Sequence, residues 1–291
     1  CHEHADGMII FRNDDVVSML LQNYSSKQKE EDGEQPQIGF KDINRYISRC
    51  LFDLISPTKS FRKRPKSVAR FLSKFPGSVD SSSSSSGAAR GKSLRQNGHY
   101  QLRGFNMRDF TSNVCPFSDA KLVELWSSAG IKWRSNRTST HALEWFSNTS
   151  NLLSRIPRYD KDEKGVACLS YQMHLRGLNQ PSLVERDRIM KKTTDKLGCV
   201  QWNPFPGDIK QTKMPNLHSQ PHRASISLAA NRTLLPKYLS AVKQKAEIMF
   251  DAGAFKHWYL KHGAEEEDFL DAFESVDGIV SAYKELSIRT R

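Results

Sequence analysis

From Leu234 to Leu286 apolar residues return every three or four positions, in two runs parted by a glycine. The first run is TLLPKYLSAVKQKAEIMFDAGAFKHWYLKHG, and the second begins AEEEDF. This period predicts two helices. The first is expected to break near Gly253 and to end at Gly263 as a left-handed cap. Lys256, His257, Lys261 and His262 lie at its carbonyl end, and the acids of AEEEDF lie at the amide end of the next helix. Both charge signs complement the helix dipoles. Phe269, Phe273, Val276, Ile279, Tyr283 and Leu286 make one apolar face. The two helices therefore form a hairpin, aromatic inside and charged outside.

The preceding residues interleave two periods. NDDVVSMLLQNY predicts a short helix capped by Asn13, with Val16, Leu20 and Tyr24 on one face. A charged linker, SSKQKEEDGEQPQIG, follows. FKDINRYISRCLFDLISP then sets Ile43, Ile47, Leu51 and Leu54 at helical spacing and stops at Pro57. Apolar on more than one side, this helix is expected to be buried deeply. SVARFLSKFP reads as a short helix, HYQLRG as a strand, and SDAKLVELW as a helix started by Ser118. GVACLSYQMHLRG, bounded by glycines, suits a central strand. PSLVERDRIMKKTTDKL reads as a helix with Pro181 at its start. GCVQWNPFPG reads as a strand ending in a proline turn, and RASISLAAN as a further strand. Helices and strands in alternation, then a helical end, imply an α/β or α+β layer with helices packed outside.

The net charge of +12 raises the question of a nucleic-acid partner. Between Pro57 and Arg103, however, eleven Lys/Arg face one acid, Asp80, so this segment alone holds +10. The rest of the chain is nearly neutral, which argues against nucleic acid as a general partner. The basic segment surrounds SVDSSSSSSGAARGKS, a run that buries no apolar surface and is expected to be a disordered insert. Its GAARGKS is not a phosphate loop, because Ser86 stands where that motif needs glycine. Cys1, Cys50, Cys115, Cys168 and Cys199 are scattered with no CxxC, so neither a zinc site nor a disulfide framework is expected, and a reducing cytosol is the simple reading. The N-x-S/T triplets at Asn23, Asn136, Asn148 and Asn231 read as chance matches. No apolar run approaches the roughly 18 residues of a membrane span. CHEHADGMIIF lacks the pattern of a signal peptide, and the start at Cys1 predicts a piece of something longer. No nucleophile–base pair or metal cluster is legible, so no catalytic residue is assigned.

FDAGAFKHWYLKHGAEEEDFLDAFESVDGIVSAYKEL resembles the last two helices of the tubulin family. Other segments follow the family's order. GVACLSYQMHLRG is similar to the intermediate-domain strand ending in RG, CVQWNPFPGDIK to the strand ending in W-P---K, and ASISLAANRT to the N-T lead into the penultimate helix. ADGMIIFRNDDVVSMLL and FKDINRYIS resemble the nucleotide-domain helix and the start of the core helix. Within the family the C-terminal stretch is most similar to the delta-tubulins. The resemblance implies four parts: 1–76, the end of a nucleotide domain with its core helix; 77–98, the serine-rich insert; 99–230, a mixed-sheet intermediate domain; and 231–291, the helical hairpin.

The resemblance also implies a site. Asn13 and Asn44 fall where tubulin asparagines hydrogen-bond guanine, and Phe40 falls where an aromatic ring stacks on the base. A helix cap for Asn13 and core packing for Phe40 are the plainer alternatives. The family's GGGTGSG phosphate loop has no counterpart, since the sequence holds no Gly-Gly pair; GTP is thus expected only in the full-length protein. In alpha-tubulins a carboxylate in the short helix after the core helix activates water on the neighbouring subunit's GTP. SFRKRPKSVARFLSKFP contains no acid, and Ser67 falls near that place, implying a poor activator of hydrolysis. The resemblance further implies a cytoskeletal subunit of cytoplasm, centriole or basal body, and cilium or flagellum. Its partners would be other tubulins, epsilon-tubulin first and alpha- or beta-tubulin next, with microtubule- or centriole-associated proteins on the hairpin. The competing reading is a basic nucleic-acid-binding or scaffold protein using residues 57–103.

Overall fold

Every residue of the strand β3 (Cys168–Arg176) is buried, which requires a sheet covered on both faces. Its sequence nevertheless alternates: Leu169, Tyr171, Met173 and Leu175 on one side, Ser170, Gln172, His174 and Arg176 on the other. In this computed structural model the described residues are 4–25, 37–56, 105–132, 141–156, 167–177, 180–212 and 223–288. β3 pairs parallel with β4 (Gly207–Thr212) and antiparallel with β5 (Arg223–Arg232). β5 pairs antiparallel with β2 (Leu122–Lys132), which pairs parallel with β1 (Met8–Ile10). The order across the mixed sheet is therefore β1-β2-β5-β3-β4.

The helices are α1 (Asn13–Ser25), α2 (Phe40–Ile55), α3 (Met107–Val114), α4 (His141–Arg155), α5 (Leu183–Leu197), α6 (Leu234–Asp251), α7 (Lys256–Lys261) and α8 (Glu266–Ile288). The class is α/β, as the interleaved periods imply. α2 and α3 lie on the polar face of the sheet. Arg176 donates to the Asp53 carbonyl at 2.6 Å, and Asn113 donates to Gln172 at 3.2 Å. α4 and α5 pack on each other, and α5 lies on the apolar face, where the Tyr171 hydroxyl donates to the Met190 carbonyl at 3.0 Å. Among the described residues no helix is long and apolar enough to cross a membrane.

Several elements differ from the sequence reading. SDAKLVELW is not a helix. Leu122 onward is β2, held by β1 on one side and β5 on the other, and this pairing overrides a stretch whose 122, 125 and 126 positions also suit a helix. GCVQWNPFPG contributes only an isolated bridge at Cys199. The strand starts after its prolines, at Gly207, because prolines at 204 and 206 have no N–H for a ladder. α2 is not buried all round. It buries Ile43, Tyr46, Cys50, Asp53 and Leu54, while Leu51 and Ile55 are exposed. The expected helix SVARFLSKFP, the strand HYQLRG, the serine-rich insert and the side chain of Tyr24 lie outside the described residues.

The C-terminal hairpin forms as its period implies. α6 ends at Asp251, Gly253 takes φ 67°, and Gly263 takes φ 88°, both in the left-handed region that glycine enters without steric cost. Phe250 of α6 meets Phe269 and Phe273 of α8 with ring centroids 5.3 and 5.9 Å apart. Ile279, Tyr283 and Leu286 complete the buried stripe and join Leu122, Leu169, Val200 and Leu235 in a second core cluster.

Candidate functional site

Phe40 and Asn44 stand one turn apart on α2 and so share a face. That face is the outer one. Phe40 is 76% exposed and Asn44 is exposed, whereas Ile43, Tyr46 and Cys50 turn inward. Core packing is thereby removed as the role of Phe40. The helix start is set by Gly39, whose N–H meets the Asp42 carboxylate at 3.3 Å, so the exposed ring opens a capped, rigid helix rather than a loop. Asn13 is the first residue of α1 and is exposed. α1 packs on α2 through Val16 and Met19 against Ile43, Tyr46 and Cys50 in one cluster. Among the described residues no hydrogen bond joins Asn13, Phe40 and Asn44 to one another.

Beside Asn13 lies a small cleft lined by Arg12, Asp15, Met19, Tyr46, Glu124 and Trp126. Its charges are balanced. Arg12 pairs with Asp15, and Arg232 pairs with Glu124 at 2.5 Å. Burial raises both carboxyl pKa values, opposed by the paired arginines. The Arg232 guanidinium lies 4.8 Å from the Trp126 ring centre and Arg12 lies 5.2 Å from that of Tyr238. Such paired, stacked arginines hold packing and orientation. Arg12 holds the start of α1, and with it Asn13, on the Tyr238 ring of α6, and Arg232 joins β5 to β2.

The sequence reading missed the polar face of the sheet. Asp53 is fully buried on α2. Its carboxylate accepts from Ser127 at 2.7 Å and from Ser225 at 3.4 Å. Burial raises its pKa, with Ser127 and Arg176 opposing. Arg176 reaches past that carboxylate, 3.9 Å away, to the carbonyls of Asp53 and Ser56 at 2.6 and 2.7 Å. It thus caps the carbonyl end of α2, where a cation opposes the helix dipole. His174 is buried two residues earlier, its pKa lowered to about 3 by burial, Arg176 and Lys210. Its Nε2 sits 2.7 Å from Gln172 Nε2, while Nδ1 has no partner. The alternation in LSYQMHLR was the available signal for this face.

The acid-free stretch SFRKRPKSVARFLSKFP and its Ser67 lie outside the described residues. The first described helix after α2 is α3, which is short and carries exposed Asp109 in its first turn, capped by the Asn106 side chain. Asp109 is thus an exposed carboxylate on the first described helix after α2.

No protein-family model matches the chain. It is 24% identical over 205 residues to a tubulin alpha chain of Zymoseptoria tritici, covering 67% of this chain and 44% of that one. It is 29% identical over 147 residues to the human tubulin alpha chain-like 3, covering 49% of this chain and 32% of the relative. A stretch of 65 residues is 43% identical to the tubulin delta chain of Mus musculus, covering 22% of this chain and 14% of the relative. The matched stretches span less than half the length of these curated relatives. The core helix, the mixed sheet and the closing hairpin stand in the order the resemblance implied, and over these stretches the chain is similar to tubulin chains of the alpha and delta kinds.

Proposed function

We propose that the chain is part of a delta-like tubulin-family cytoskeletal subunit that binds guanine nucleotide in its full-length form and acts at centrioles or basal bodies and in cilium assembly. The observation that carries the nucleotide reading is Phe40, an apolar ring open to solvent at the start of a rigid helix, one turn from the Asn44 amide. A flat ring stacks on any base, and amides serve both the donor and the acceptor edge of guanine. Asn13, held beside the cleft, supplies a second amide. The delta reading rests on the identity to the mouse delta chain over 65 residues, which exceeds that to the alpha chains.

Other tubulins, epsilon-tubulin first, are the proposed partners. Phe255, Trp258, Tyr259 and Leu260 around α7, and Leu183 and Val184 at the start of α5, are all exposed, as the surface of an assembling subunit would be. The charged outer side of α6 and α8 is the proposed landing surface for microtubule- or centriole-associated proteins. Asp109 is the proposed carboxylate acting on a neighbour's nucleotide, in place of the acid-free segment. The test is GTP binding by the full-length protein: Phe40→Ala and Asn44→Ala should each weaken it about fivefold or more, since a stacked base, and a hydrogen-bonding group left without its partner, each account for about 1–3 kcal/mol. Unchanged affinity in both variants overturns the nucleotide reading. A tagged protein spread evenly through a ciliated cell overturns the centriolar one.

A further inference from the structure

Two of the cysteines are direct neighbours across a bridge. Cys168 N–H donates to the Gly198 carbonyl at 3.1 Å, and Val200 N–H donates to the Cys168 carbonyl at 3.0 Å. Cys199 is thus the residue opposite Cys168 in a parallel pairing. Residues opposed in this way are about 4.8 Å apart and turn their side chains to the same side. A disulfide needs Cα atoms about 4.4–6.8 Å apart, so the backbone is already within range. Both side chains join the same core cluster, Cys168 fully buried and Cys199 partly so. The Cys168 thiol donates to the Ser170 carbonyl at 3.4 Å, and the Cys199 thiol is close enough to act on it electrostatically. Both thiols are free.

We propose that Cys168 and Cys199 are a peroxide-responsive thiol pair that closes into an intrachain disulfide, tying the first residue of β3 to the connection between α5 and β4. Cys199 is the more accessible and reacts first. Its thiolate attacks one peroxide oxygen: an S–O bond forms, the O–O bond breaks, water leaves, and the sulfur becomes a sulfenic acid, oxidised by two electrons. Cys168 then attacks that sulfur: an S–S bond forms, the S–O bond breaks, and a second water leaves. Two thiols and one hydrogen peroxide thus give one disulfide and two waters. Burial raises the Cys168 pKa, as does the neighbouring Cys199, which slows the second step. The fixed pairing of the two residues across the bridge offsets this, because an oriented intramolecular attack gains a large effective concentration.

The connection that would be tied also holds the C-terminal helix. Trp202, three residues past Cys199, donates from its indole N–H to the Leu286 carbonyl on α8 at 3.0 Å and packs edge-on against Phe117. The Asn203 amide donates to the Leu169 carbonyl at 2.9 Å. Oxidation would therefore stiffen the segment on which the end of α8 rests.

The test treats the full 291-residue chain with hydrogen peroxide, alkylates remaining thiols, and maps the peptides by mass. The expected product is a Cys168–Cys199 linked pair, two hydrogens lighter and reversed by dithiothreitol. It should form before any link through Cys115, whose half-buried sulfur instead faces Gly7. Cys168→Ala should leave Cys199 as a sulfenic acid that dimedone captures. If that variant fails to fold, Cys199→Ser, at a less buried position, should abolish the link and leave Cys168 alkylated. Wild-type Cys168 and Cys199 both recovered as free thiols while Cys115 is consumed would overturn the proposal. So would Cys199 stopping at sulfenic or sulfinic acid in the wild type.

Discussion

The Tyr283 hydroxyl on α8 donates to the Asn231 side-chain carbonyl on β5 at 2.7 Å and accepts from the Leu122 N–H on β2 at 2.9 Å. The Asn231 amide in turn donates to the carbonyls of Ala120 and Val114 at 2.6 and 3.1 Å. One phenol and one amide therefore join the hairpin to two strands and to the end of α3.

Tyr283→Phe keeps the ring and removes the hydroxyl. The Leu122 N–H and the Asn231 carbonyl are then buried without their partner, which costs about 1–3 kcal/mol. Urea denaturation should show a lower midpoint with an unchanged slope. An unchanged midpoint would mean that water replaces the hydroxyl and that the phenol does not hold the hairpin.

Gly207 and Gly278 should respond to alanine in opposite directions. A methyl group on Gly207 overlaps the ring end and hydroxyl of Tyr171, which is fixed by the Met190 carbonyl and Thr194. Overpacking of this kind costs about 1–3 kcal/mol. Gly278 is exposed inside α8, and nothing lies within 4 Å of an added methyl. Gly278→Ala should stabilise by about 0.5–1 kcal/mol, because alanine loses less backbone freedom in a helix. Thermal melts of the two variants decide the matter.

His174 should make the fold acid-sensitive. The unfolded chain protonates this side chain near pH 6.5, whereas the folded protein keeps it neutral down to about 3. Between those values the unfolded state binds the extra proton, so stability present above pH 6.5 is lost as pH falls, by up to about 1.4 kcal/mol per unit. Asp15, Asp53 and Glu124 act the other way. Their raised pKa values let the folded state take up protons first, so their contribution is lost as pH rises. Comparison with His174→Gln isolates the histidine: stability of that variant should depend less steeply on pH between about 6 and 4. Parallel curves for wild type and variant would refute the assignment.

Phe40→Ala should leave the stability of the 291-residue chain within about 0.5 kcal/mol, as expected for an exposed side chain away from packing. A larger loss would restore a packing role for the ring. The same chain has no Gly-Gly pair. Much of nucleotide affinity comes from phosphate on backbone amides, so calorimetry with GTP should detect no binding. Micromolar affinity would show that the base rim needs no such loop.

The hairpin was legible in the sequence because one face of each helix repeats its apolar residues, and a helix converts that period directly into a stripe. β3 was legible for its length and its flanking glycines. β2 was not, because Leu122, Leu125 and Trp126 fit a helical stripe equally well, and only pairing with strands on both sides settles it. α4 was overlooked although Trp145, Leu152 and Ile156 are spaced as a helix face. For the candidate site, the exposed positions of Phe40 and Asn44 follow from α2 being buried along one side. The Asp53–Arg176 contact was beyond reach, since it joins residues 123 positions apart in sequence, and no local pattern encodes such a distance.

The strand order bears on how the chain is made. β5 lies between β2 and β3, yet it is the last of the five strands to be synthesised. Before it emerges, the described strands can pair only as two separate ribbons, β1 with β2 and β3 with β4, and β2 and β3 lack the neighbour that joins them. β2 is complete at Lys132 and β5 at Arg232. At about 5–20 residues per second, that interval is roughly 5–20 s for each ribosome. Open strand edges recruit other chains. The newborn protein is thus most prone to aggregate during one defined stretch of translation, and a pause placed before β5 leaves the ribosome would lengthen that exposure.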